Sequence, residues 1–455
     1  MRGSCRLFGS SASENPLDEG SAHHRLQECT LLWDAAPLTE SADGALAPSY
    51  DAIIVGAGYT GLRAALTLAR AGRSVAVFDK ERPGYGASRR NAGFLGRTLK
   101  KSYVDLKAAK GAAYASAIYR DLSMAYDSTL AFIEEEGIDC HAVRCGRLIV
   151  ATSAAHYAGL ERELAGMKAD LGLPYSMLPR AQLREEMATD LYAGGAVIPD
   201  LGSLHPGLYH RGLMTSALSA GVAIFGNCAV TAIEPAGQGE RFRVTTAAGP
   251  TRARDVVVAT NGYTPKSLPW HARRVIPFVG YMAATEPLPP ALLTKQLPHR
   301  RTVIDSNLDI DFFRPAPDSP RLLFGGATAN GLQDPEAIAA LLHGRLARAL
   351  PDLAAVKLSH VWTGQCAGTF DMMPHIGCHD GIWYGMGYNF AGVPMGSFFG
   401  LKIAQKILGL PAGTSAFEAA RFPTLPLYRG NPWFLPLAMR YFAWKDAKLA
   451  RRRVP

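Results

Sequence analysis

The chain has 455 residues, and 48% of them are apolar, which is enough to bury the interior of about two closely packed domains. Its formal charge of +9 is dispersed, except for a basic end at Arg451, Arg452 and Arg453 that has no interleaved aromatic residues. This pattern argues against a nucleic acid as a partner, and we interpret the end as a solvated tail.

Cysteine usage and the N-terminal segment indicate the location. The seven cysteines include no CxxC pair, and a chain of this size needs no disulfides, which is typical of a reducing cytoplasm. The first 48 residues lack the charged start and apolar core of a signal peptide. We therefore predict a cytoplasmic protein.

Two apolar stretches raise the question of a membrane. The uncharged run 381–401 is long enough to span a bilayer, but its glycines, Pro394 and Asn389 favour a strand, a loop and a helix. The Trp- and Phe-rich stretch 432–444 beside the basic tail leaves contact with a membrane surface open. We favour packing against the protein for this stretch and expect no membrane contact.

Apolar periodicity predicts the secondary structure in chain order. A βαβ unit comes first, and a later helix is followed by strands typical of a three-stranded antiparallel insert. The stretch 275–326 is rich in strands, typical of a sheet that covers a ligand. The predicted elements before it are strands at 51–55 and 74–78, helices at 61–71, 108–136, 156–171 and 207–220, and strands at 222–225, 229–234, 241–247 and 255–260.

The first glycine motif joins the strand and the helix of the βαβ unit, and it is Gly56-Ala57-Gly58-Tyr59-Thr60-Gly61. The first glycine permits a tight turn, the second lets a pyrophosphate approach the backbone, and the third lets the helix and the strand pack closely. Asp79 ends the second strand, where a carboxylate accepts hydrogen bonds from ribose hydroxyls and disfavours a 2′-phosphate, although Lys80 and Arg82 weaken that last point. The unit predicts a bound dinucleotide.

The second motif is Gly86-Ala87-Ser88-Arg89-Arg90-Asn91-Ala92-Gly93. Its small residues let the backbone lie against a flat ring system, and Ser88, Arg90 and Asn91 carry donors for phosphate and flavin oxygens. The motif favours FAD over NAD as the dinucleotide. An ordinary loop that enters a helix is the alternative.

The third motif is Gly385-Met386-Gly387-Tyr388-Asn389-Phe390-Ala391-Gly392-Val393, and it precedes a helix predicted to run to about residue 407. A glycine-rich turn at a helix N-terminus forms an anion site, which suits the negative charge of a reduced flavin. A packed turn without a ligand is the alternative.

Together the motifs resemble the FAD-dependent oxidoreductase family that includes D-amino acid oxidase, sarcosine and glycine oxidases and, most similar, gamma-glutamylputrescine oxidase. Two positions depart from the family pattern, because Arg89 and Ala92 stand where glycine is usual, and a bulky Arg89 is expected to narrow the approach to the flavin. Six further segments follow the family's order along the chain, namely 32–34, 205–206, 257–262, 313–314, 322–326 and 369–374.

The resemblance implies an α/β fold, with a Rossmann-type FAD-binding domain of the glutathione-reductase kind and a second, α+β substrate domain built on an antiparallel sheet. We predict an N-terminal extension at 1–48 and a C-terminal tail at 413–455. The FAD-binding domain is predicted to be discontinuous and the substrate domain to fill its gaps: the former takes 49–110, 196–265 and 355–412, and the latter takes 111–195 and 266–354.

The resemblance also implies that the FAD is bound non-covalently, because Cys366 does not occupy the position of the thiol that attaches the flavin in sarcosine oxidase. No metal is expected. The predicted cofactor-binding residues come from the three motifs, the end of the second strand, and two segments near the adenine and the ribityl chain; they are Gly56, Ala57, Gly58, Tyr59, Thr60, Gly61, Asp79, Lys80, Ala87, Ser88, Arg90, Asn91, Ala92, Gly93, Val230, Ala259, Thr260, Asn261, Gly262, Gly387, Tyr388, Asn389, Phe390, Ala391, Gly392 and Val393.

The implied reaction is the oxidation of a small amine or amino acid. A hydride passes from its α-carbon to flavin N5, water hydrolyses the imine, and oxygen reoxidises the flavin to give hydrogen peroxide. No residue is assigned as a general base. Four residues are candidates for the substrate pocket: Arg314 as a clamp for a carboxylate, Tyr281 and Phe313 as walls, and His205; ordinary packing is the alternative for each.

Two other functions stay open. One is a dehydrogenase that passes electrons to a quinone or another carrier instead of oxygen. The other is a non-catalytic protein in which FAD stabilises a scaffold, an idea that the Arg89 and Ala92 departures keep open.

Overall fold

Two eight-stranded sheets organise the chain. The structure, a computed structural model, describes residues 31–35, 45–237, 241–329 and 331–450. The strands are β1 Ser49–Val55, β2 Val75–Phe78, β3 Phe94–Leu95, β4 Arg147–Ala151, β5 Ser176–Pro179, β6 Gly194–Ile198, β7 Gly202–Ser203, β8 Ala223–Phe225, β9 Val230–Pro235, β10 Phe242–Thr246, β11 Gly249–Val258, β12 Ile276–Thr285, β13 Thr302–Asp305, β14 Phe312–Pro315, β15 Leu322–Gly326, β16 Leu358–Gly368, β17 His375–His379 and β18 Ile382–Met386. The helices are α1 Tyr59–Arg70, α2 Ala87–Arg90, α3 Tyr103–Lys110, α4 Ala112–Glu135, α5 Ala154–Leu171, α6 Pro206–Ser219, α7 Pro269–Ala272, α8 Pro290–Gln296, α9 Pro335–Ala349, α10 Gly392–Ile407 and α11 Leu435–Ala450.

The first sheet has the parallel core of a dinucleotide-binding fold. Its strands run in the order β17-β18-β11-β1-β2-β8, and all the neighbours from β18 to β8 are parallel. The central strands are buried on both faces, which explains why 52–55 and 75–78 are continuous apolar runs. Helices α1 and α10 pack against each other on this sheet, so the confirmed βαβ unit lies at its centre.

The second sheet is mainly antiparallel, with the order β16-β12-β15-β14-β13-β4-β6-β5. Side chains alternate between its two faces. Leu148, Val303 and Phe313 belong to the core that α9 covers, whereas the next or preceding residues Arg147, Ile304 and Phe312 line a cavity on the other face. The alternation follows from the two-residue period of a strand.

Most of the predicted elements are confirmed, and one needs correction. The antiparallel insert is β9, β10 and β11, and the uncharged run 381–401 is a strand, a loop and a helix. The single helix predicted at 108–136 is two helices, α3 and α4. They separate at Gly111, whose φ of +87° is suited to glycine and interrupts the helical backbone.

Two strands bear on the predicted domain ranges. Strands β6 and β16 overlap the ranges 196–265 and 355–412 predicted for the FAD-binding domain, yet both lie in the second sheet. The domain boundaries stay a prediction. Of the extension at 1–48, only Leu31 to Ala35 and the last residues before β1 fall inside the described part of the chain.

Candidate active site

A cavity of about 2200 Å³, including its part that is open to solvent, lies between the two sheets. Its floor is formed where parallel strands of the first sheet end: Val55 closes β1, Asp79 follows β2, Ala259 follows β11 and Tyr388 follows β18. Ligands of open α/β sheets bind at this carboxyl edge. Residues of all three glycine motifs line the cavity, so it suits a dinucleotide.

The glycines of the first motif bring three backbone segments together. Gly56 has a φ of +108°, and a Cβ there would lie 2.9 Å from the carbonyl oxygen of Ala259. A Cβ on Gly61 would overlap the carbonyl oxygen of Gly56. Gly58 lines the cavity as the N-cap of α1 and supplies no side-chain cap. Apart from the N–H of Tyr59, which Ser88 accepts, the first-turn N–H groups of the helix can therefore bind an anionic ligand.

A second helix N-terminus faces the same cavity. Gly392 and Val393 begin α10 and line it. Helices α1 and α10 approach closely because Gly400 has no Cβ, which would overlap the carbonyl oxygen of Thr60. The hydroxyls of Thr60 and Tyr388 are 2.6 Å apart. Two positive helix ends therefore converge on one volume, which favours an anionic ligand.

Asp79 lines the cavity and also fixes the loop around it. Its Oδ2 accepts the N–H of Ala57 at 2.8 Å, and its Oδ1 accepts the N–H of Glu81 at 3.0 Å. Burial raises the pKa of Asp79 above its ordinary value, against the effect of these two N–H groups. His210 holds the other side of Ala57, with Nε2 2.8 Å from its carbonyl oxygen; burial lowers the pKa of His210 to about 4, so the ring is neutral at neutral pH.

The second motif forms the short helix α2 and the turn after it. The side chain of Asn91 donates to the carbonyls of Ala87 and Ser88, both at 3.0 Å, and accepts the N–H of Gly93 at 2.8 Å. Ser88 Oγ accepts the N–H of Tyr59 at 3.1 Å. These polar groups, which the sequence suggested as donors to the ligand, therefore shape the turn itself, although both residues also line the cavity.

The expected effect of Arg89 is corrected by its position. Its side chain is 1% exposed, it donates to the carbonyl of Trp33 at 3.1 Å, and it is not among the residues that line the cavity. Trp33 is itself buried, and its indole N–H donates to the carbonyl of Asn91 at 3.1 Å. Arg89 thus points away from the cavity and does not narrow it. Ala92 does line it.

The third motif is held by asparagines in left-handed conformations. Asn261 (φ +45°) accepts the N–H of Gly387 at 2.9 Å through Oδ1, which ties the turn after β11 to the turn after β18. Asn389 (φ +46°) donates to the carbonyl of Gly387 at 2.6 Å. The motif and the 259–262 turn are therefore one connected wall.

Most of the predicted cofactor residues meet at the cavity. Five do not line it, and they pack behind the lining: Ala57, Gly61, Gly93, Gly262 and Gly387. The remainder line it, namely Gly56, Gly58, Tyr59, Thr60, Asp79, Lys80, Ala87, Ser88, Arg90, Asn91, Ala92, Val230, Ala259, Thr260, Asn261, Tyr388, Asn389, Phe390, Ala391, Gly392 and Val393.

Of the four predicted substrate-pocket residues, Tyr281 alone lines the cavity. Tyr281 lines the cavity, and its hydroxyl donates to the carbonyl of Leu332 at 2.9 Å. Phe313 lies on the opposite face of its strand and packs against Phe324. His205 caps α6 by accepting the N–H of Leu208 at 3.2 Å. Neither Phe313 nor His205 lines the cavity.

Arg314 is not a clamp for a carboxylate. Its guanidinium is 2% exposed and donates to four backbone carbonyls, those of Ala92, Gly93, Leu204 and Pro315. These bonds brace the second motif against the segment before α6. The expectation is wrong because the N–H groups of a buried arginine can be satisfied by backbone carbonyls as well as by a ligand.

Arg147 was missed in the sequence and occupies the cavity instead. It is 3% exposed and lines the cavity beside Phe94, whose ring centroid is 5.2 Å from the guanidinium carbon. Its donors go to neutral oxygens only: Thr98 Oγ1 at 2.9 Å, the carbonyl of Leu95 at 3.2 Å and Thr302 Oγ1 at 3.4 Å. Nη1 and Nη2 each carry a second N–H.

The charge of Arg147 has no neutralising partner in the described part of the chain. No ion pair with a carboxylate is formed, and the neighbours that act on its charge are Cys145, Arg97 and Tyr126. Burial lowers the pKa of Arg147 to about 10, so the group is still cationic at neutral pH. A buried cation on a cavity wall favours an anionic group of a ligand.

The second sheet supplies an otherwise apolar wall. The sequence signals this wall through the two-residue alternation of its strands, because every second side chain faces the cavity and the ones between face the core. The additional lining residues from this sheet and its loops are Met282, Ile304, Ile310, Phe312 and Thr328, and Phe94 and Tyr263 line the cavity as well.

Cys366 lines the cavity as a thiol. Burial raises its pKa to about 12, so it is not a thiolate near neutral pH. The other four cysteines in the described residues, Cys140, Cys145, Cys228 and Cys378, are free as well.

Three glycine-bearing turns, two helix N-termini and the carboxyl edge of a parallel sheet meet at one cavity. The model of the family "FAD dependent oxidoreductase" matches residues 51–406, which include all of these features. The chain belongs to this family. FAD is accordingly its cofactor, and the site fits the group, because the glycines leave room for backbone contact with a pyrophosphate and both helix ends favour its charge.

Relatives agree with this assignment, and a solved structure agrees with the fold. The chain is 30% identical over 401 residues to gamma-glutamylputrescine oxidoreductase of Escherichia coli, covering 87% of this chain and 92% of that protein. It is also 30% identical over 407 residues to the probable oxidoreductase OrdL of Rhizobium meliloti, with the same coverage. The structure of glycine oxidase from Geobacillus kaustophilus superposes with a TM-score of 0.71 at 24% identity, covering 83% of this chain and 99% of that one.

Proposed function

We propose that this flavoenzyme oxidises a small amine or amino acid that carries a carboxylate, and that Arg147 binds this carboxylate. The observation that carries the proposal is the buried guanidinium of Arg147 on the apolar half of the cavity, with free N–H groups and no acidic partner in the described residues. Relatives of this chain are named for gamma-glutamylputrescine and for glycine.

The cavity has a dinucleotide half, which the three motifs line, and a substrate half, which the second sheet lines. Bound FAD would supply the hydride acceptor for oxidation of the carbon that bears the amine. The three motifs would orient the flavin through backbone contacts, and the N-terminus of α10 would stabilise negative charge on it. Met282, Ile304 and Phe312 exclude water from the opposite half and hold the substrate in place.

The cofactor-binding residues of the proposal are the cavity-lining members of the predicted set. Asp79 is at the end of β2, where the ribose of the dinucleotide is expected. Val230 lies 8% exposed on the wall by Asp79 and Lys80, which suits the adenine. The attachment is non-covalent in this proposal, because the neutral, partly buried thiol of Cys366 is a poor nucleophile.

Oxygen is the proposed electron acceptor and the cytoplasm the proposed location. A dehydrogenase that passes electrons to a quinone or another carrier is the second candidate. The position of Arg89, away from the cavity, removes one reason for a non-catalytic scaffold.

Anaerobic mixing of the purified holoenzyme with a panel of amines tests the proposal. The panel pairs each amino acid with its methyl ester, so that only the carboxylate differs. We expect the free acids to bleach the flavin absorbance faster than the esters, and air to restore it with release of hydrogen peroxide. Faster bleaching by the esters would contradict the role of Arg147, and restoration only by an added quinone would contradict oxygen as the acceptor.

A further inference from the structure

The surface near the C-terminus is the most apolar exposed region of the described chain. The five most exposed large apolar side chains in that part all lie between residues 427 and 444; they are Leu427 (91%), Trp433 (70%), Leu437 (63%), Trp444 (56%) and Tyr441 (55%). Scattered single apolar residues on a surface need no explanation, but a cluster marks an interaction site.

Helix α11 displays three of these residues on one side, and Trp433 lies two residues before the helix begins. Leu437, Tyr441 and Trp444 are spaced by four and three residues and so share a face, and the rings of Tyr441 and Trp444 stack with centroids 5.9 Å apart. We call Trp433, Leu437, Tyr441 and Trp444 the outer face. Its members are exposed while the opposite side of the helix is partly buried.

The opposite side holds the helix to the protein. Ala438, Met439 and Phe442 are partly buried there, α11 contacts α5, and both carboxylate oxygens of Asp446 accept the N–H of Leu308, at 3.2 and 3.0 Å. Because the helix is fastened by this side, the outer face is left for something outside the described chain.

The charges around the outer face indicate what that is. Arg440, Lys445 and Lys448 are exposed on α11, with Lys448 Nζ 4.9 Å from the ring centroid of Trp444. The sequence adds Arg451, Arg452 and Arg453, while Asp446 is the one acidic residue from 429 to 455 and is engaged by Leu308. A second copy of the chain would bring like charges together, whereas an anionic bilayer surface complements them.

We infer that the outer face of α11 docks this flavoenzyme on an anionic membrane surface. Aromatic and leucine side chains enter the interfacial layer while lysines and arginines contact lipid phosphates, as in helices that lie in the plane of a bilayer. The sixteen residues of α11 are fewer than the ~20 that a span requires, and no described helix has the length and apolarity to cross a membrane. The stretch 432–444, for which packing was expected, is thus packed on one side only.

Co-sedimentation of the full-length holoenzyme with vesicles tests this inference. We expect binding to phosphatidylcholine vesicles that contain about one third phosphatidylglycerol, weak binding to pure phosphatidylcholine, and partial release by salt. Leu437→Glu and Trp444→Glu should each lower the partition coefficient about tenfold. Lys445→Gln combined with Lys448→Gln should lower it for anionic vesicles only.

A matched control separates this surface from general stickiness. Leu341 is a 37% exposed leucine on another helix, α9, and Leu341→Glu introduces the same charge. The inference is overturned if the native enzyme stays in the supernatant with anionic vesicles, or if Leu341→Glu weakens sedimentation as much as the two outer-face variants. It is also overturned if gel filtration shows a dimer that Leu437→Glu dissociates. None of these readouts uses turnover, so a wrong substrate class would leave them unchanged.

Discussion

The two halves of the cavity are built in different ways. The dinucleotide half depends on close backbone contacts. Its glycines have no side chain, so helices α1 and α10 and the strand ends can approach one another. The substrate half is made of side chains from the second sheet, where the alternation of a strand decides whether a residue faces the cavity or the core. Substitutions should therefore affect cofactor retention in the first half and substrate selection in the second.

The largest effect is expected for Gly61→Ala in the dinucleotide half. A Cβ there overlaps the carbonyl oxygen of Gly56, so the helix and the strand must separate and the phosphate site is lost. We expect the purified variant to retain less than about a tenth of the native FAD, measured by the flavin absorbance. Gly344→Ala on α9, where a Cβ meets nothing within 4 Å, is the control and should retain full FAD. Normal flavin content in Gly61→Ala would refute this account of the first motif.

Arg147→Met should give the largest effect in the substrate half. Removing a charged hydrogen-bond donor to a carboxylate should lower kcat/KM for amino acids by about 10²–10³-fold, with little change for methyl esters. Steady-state kinetics with both substrate series measures this. Arg314→Met is the matched control: it should lower the melting temperature, because four carbonyls lose their donor. An equal loss on acids and esters would mean that Arg147 is structural.

The neighbouring residues Phe312 and Phe313 test the alternation directly. Phe312 lines the cavity and Phe313 is fully buried in the core. We expect Phe312→Ala to raise KM about tenfold with a small change in stability, and Phe313→Ala to destabilise the fold by about 3–5 kcal/mol. Chemical denaturation and kinetics on both variants measure the two effects. The opposite pattern would mean that the strand register is different.

The smallest effect concerns Asp305, at the end of β13 beside the cavity-lining Ile304. Burial, and then the nearby Asp311, raise the pKa of Asp305 to about 7 from 3.8. Because the pKa is raised in the folded state, the protonated carboxyl of Asp305 contributes to the free energy of unfolding. This contribution is full below about pH 4 and is lost as the pH rises through about 7. Between about pH 5 and pH 8 the melting temperature of Asp305→Asn should therefore gain about 2 °C relative to the native enzyme. A difference that is constant with pH would contradict the shifted pKa.

The same contrast explains what the sequence could predict. Glycines in a strand-turn-helix context act locally, so the motif that starts at Gly56 predicted the dinucleotide fold. The second and third motifs, with the family resemblance, predicted FAD and most of the residues that line its half of the cavity. The substrate half depends on the phase of each strand and on which polar groups meet across the sheet. Arg147 and Arg314 each stand beside apolar residues in a strand. Only the tertiary structure shows that Arg147 lines the cavity and that Arg314 is bound by backbone carbonyls. An arginine at the start of the apolar run 148–151 was the available signal.

Asp446 connects helix α11 to the rim of the cavity. It holds the backbone of Leu308, and two residues later Ile310 enters the cavity wall. A protein seated through α11 would thus have the rim of its cavity at a fixed height and tilt above the lipid headgroups. That would govern the direction from which a molecule dissolved in the bilayer meets the enzyme, a matter of orientation that affinity measurements alone do not report.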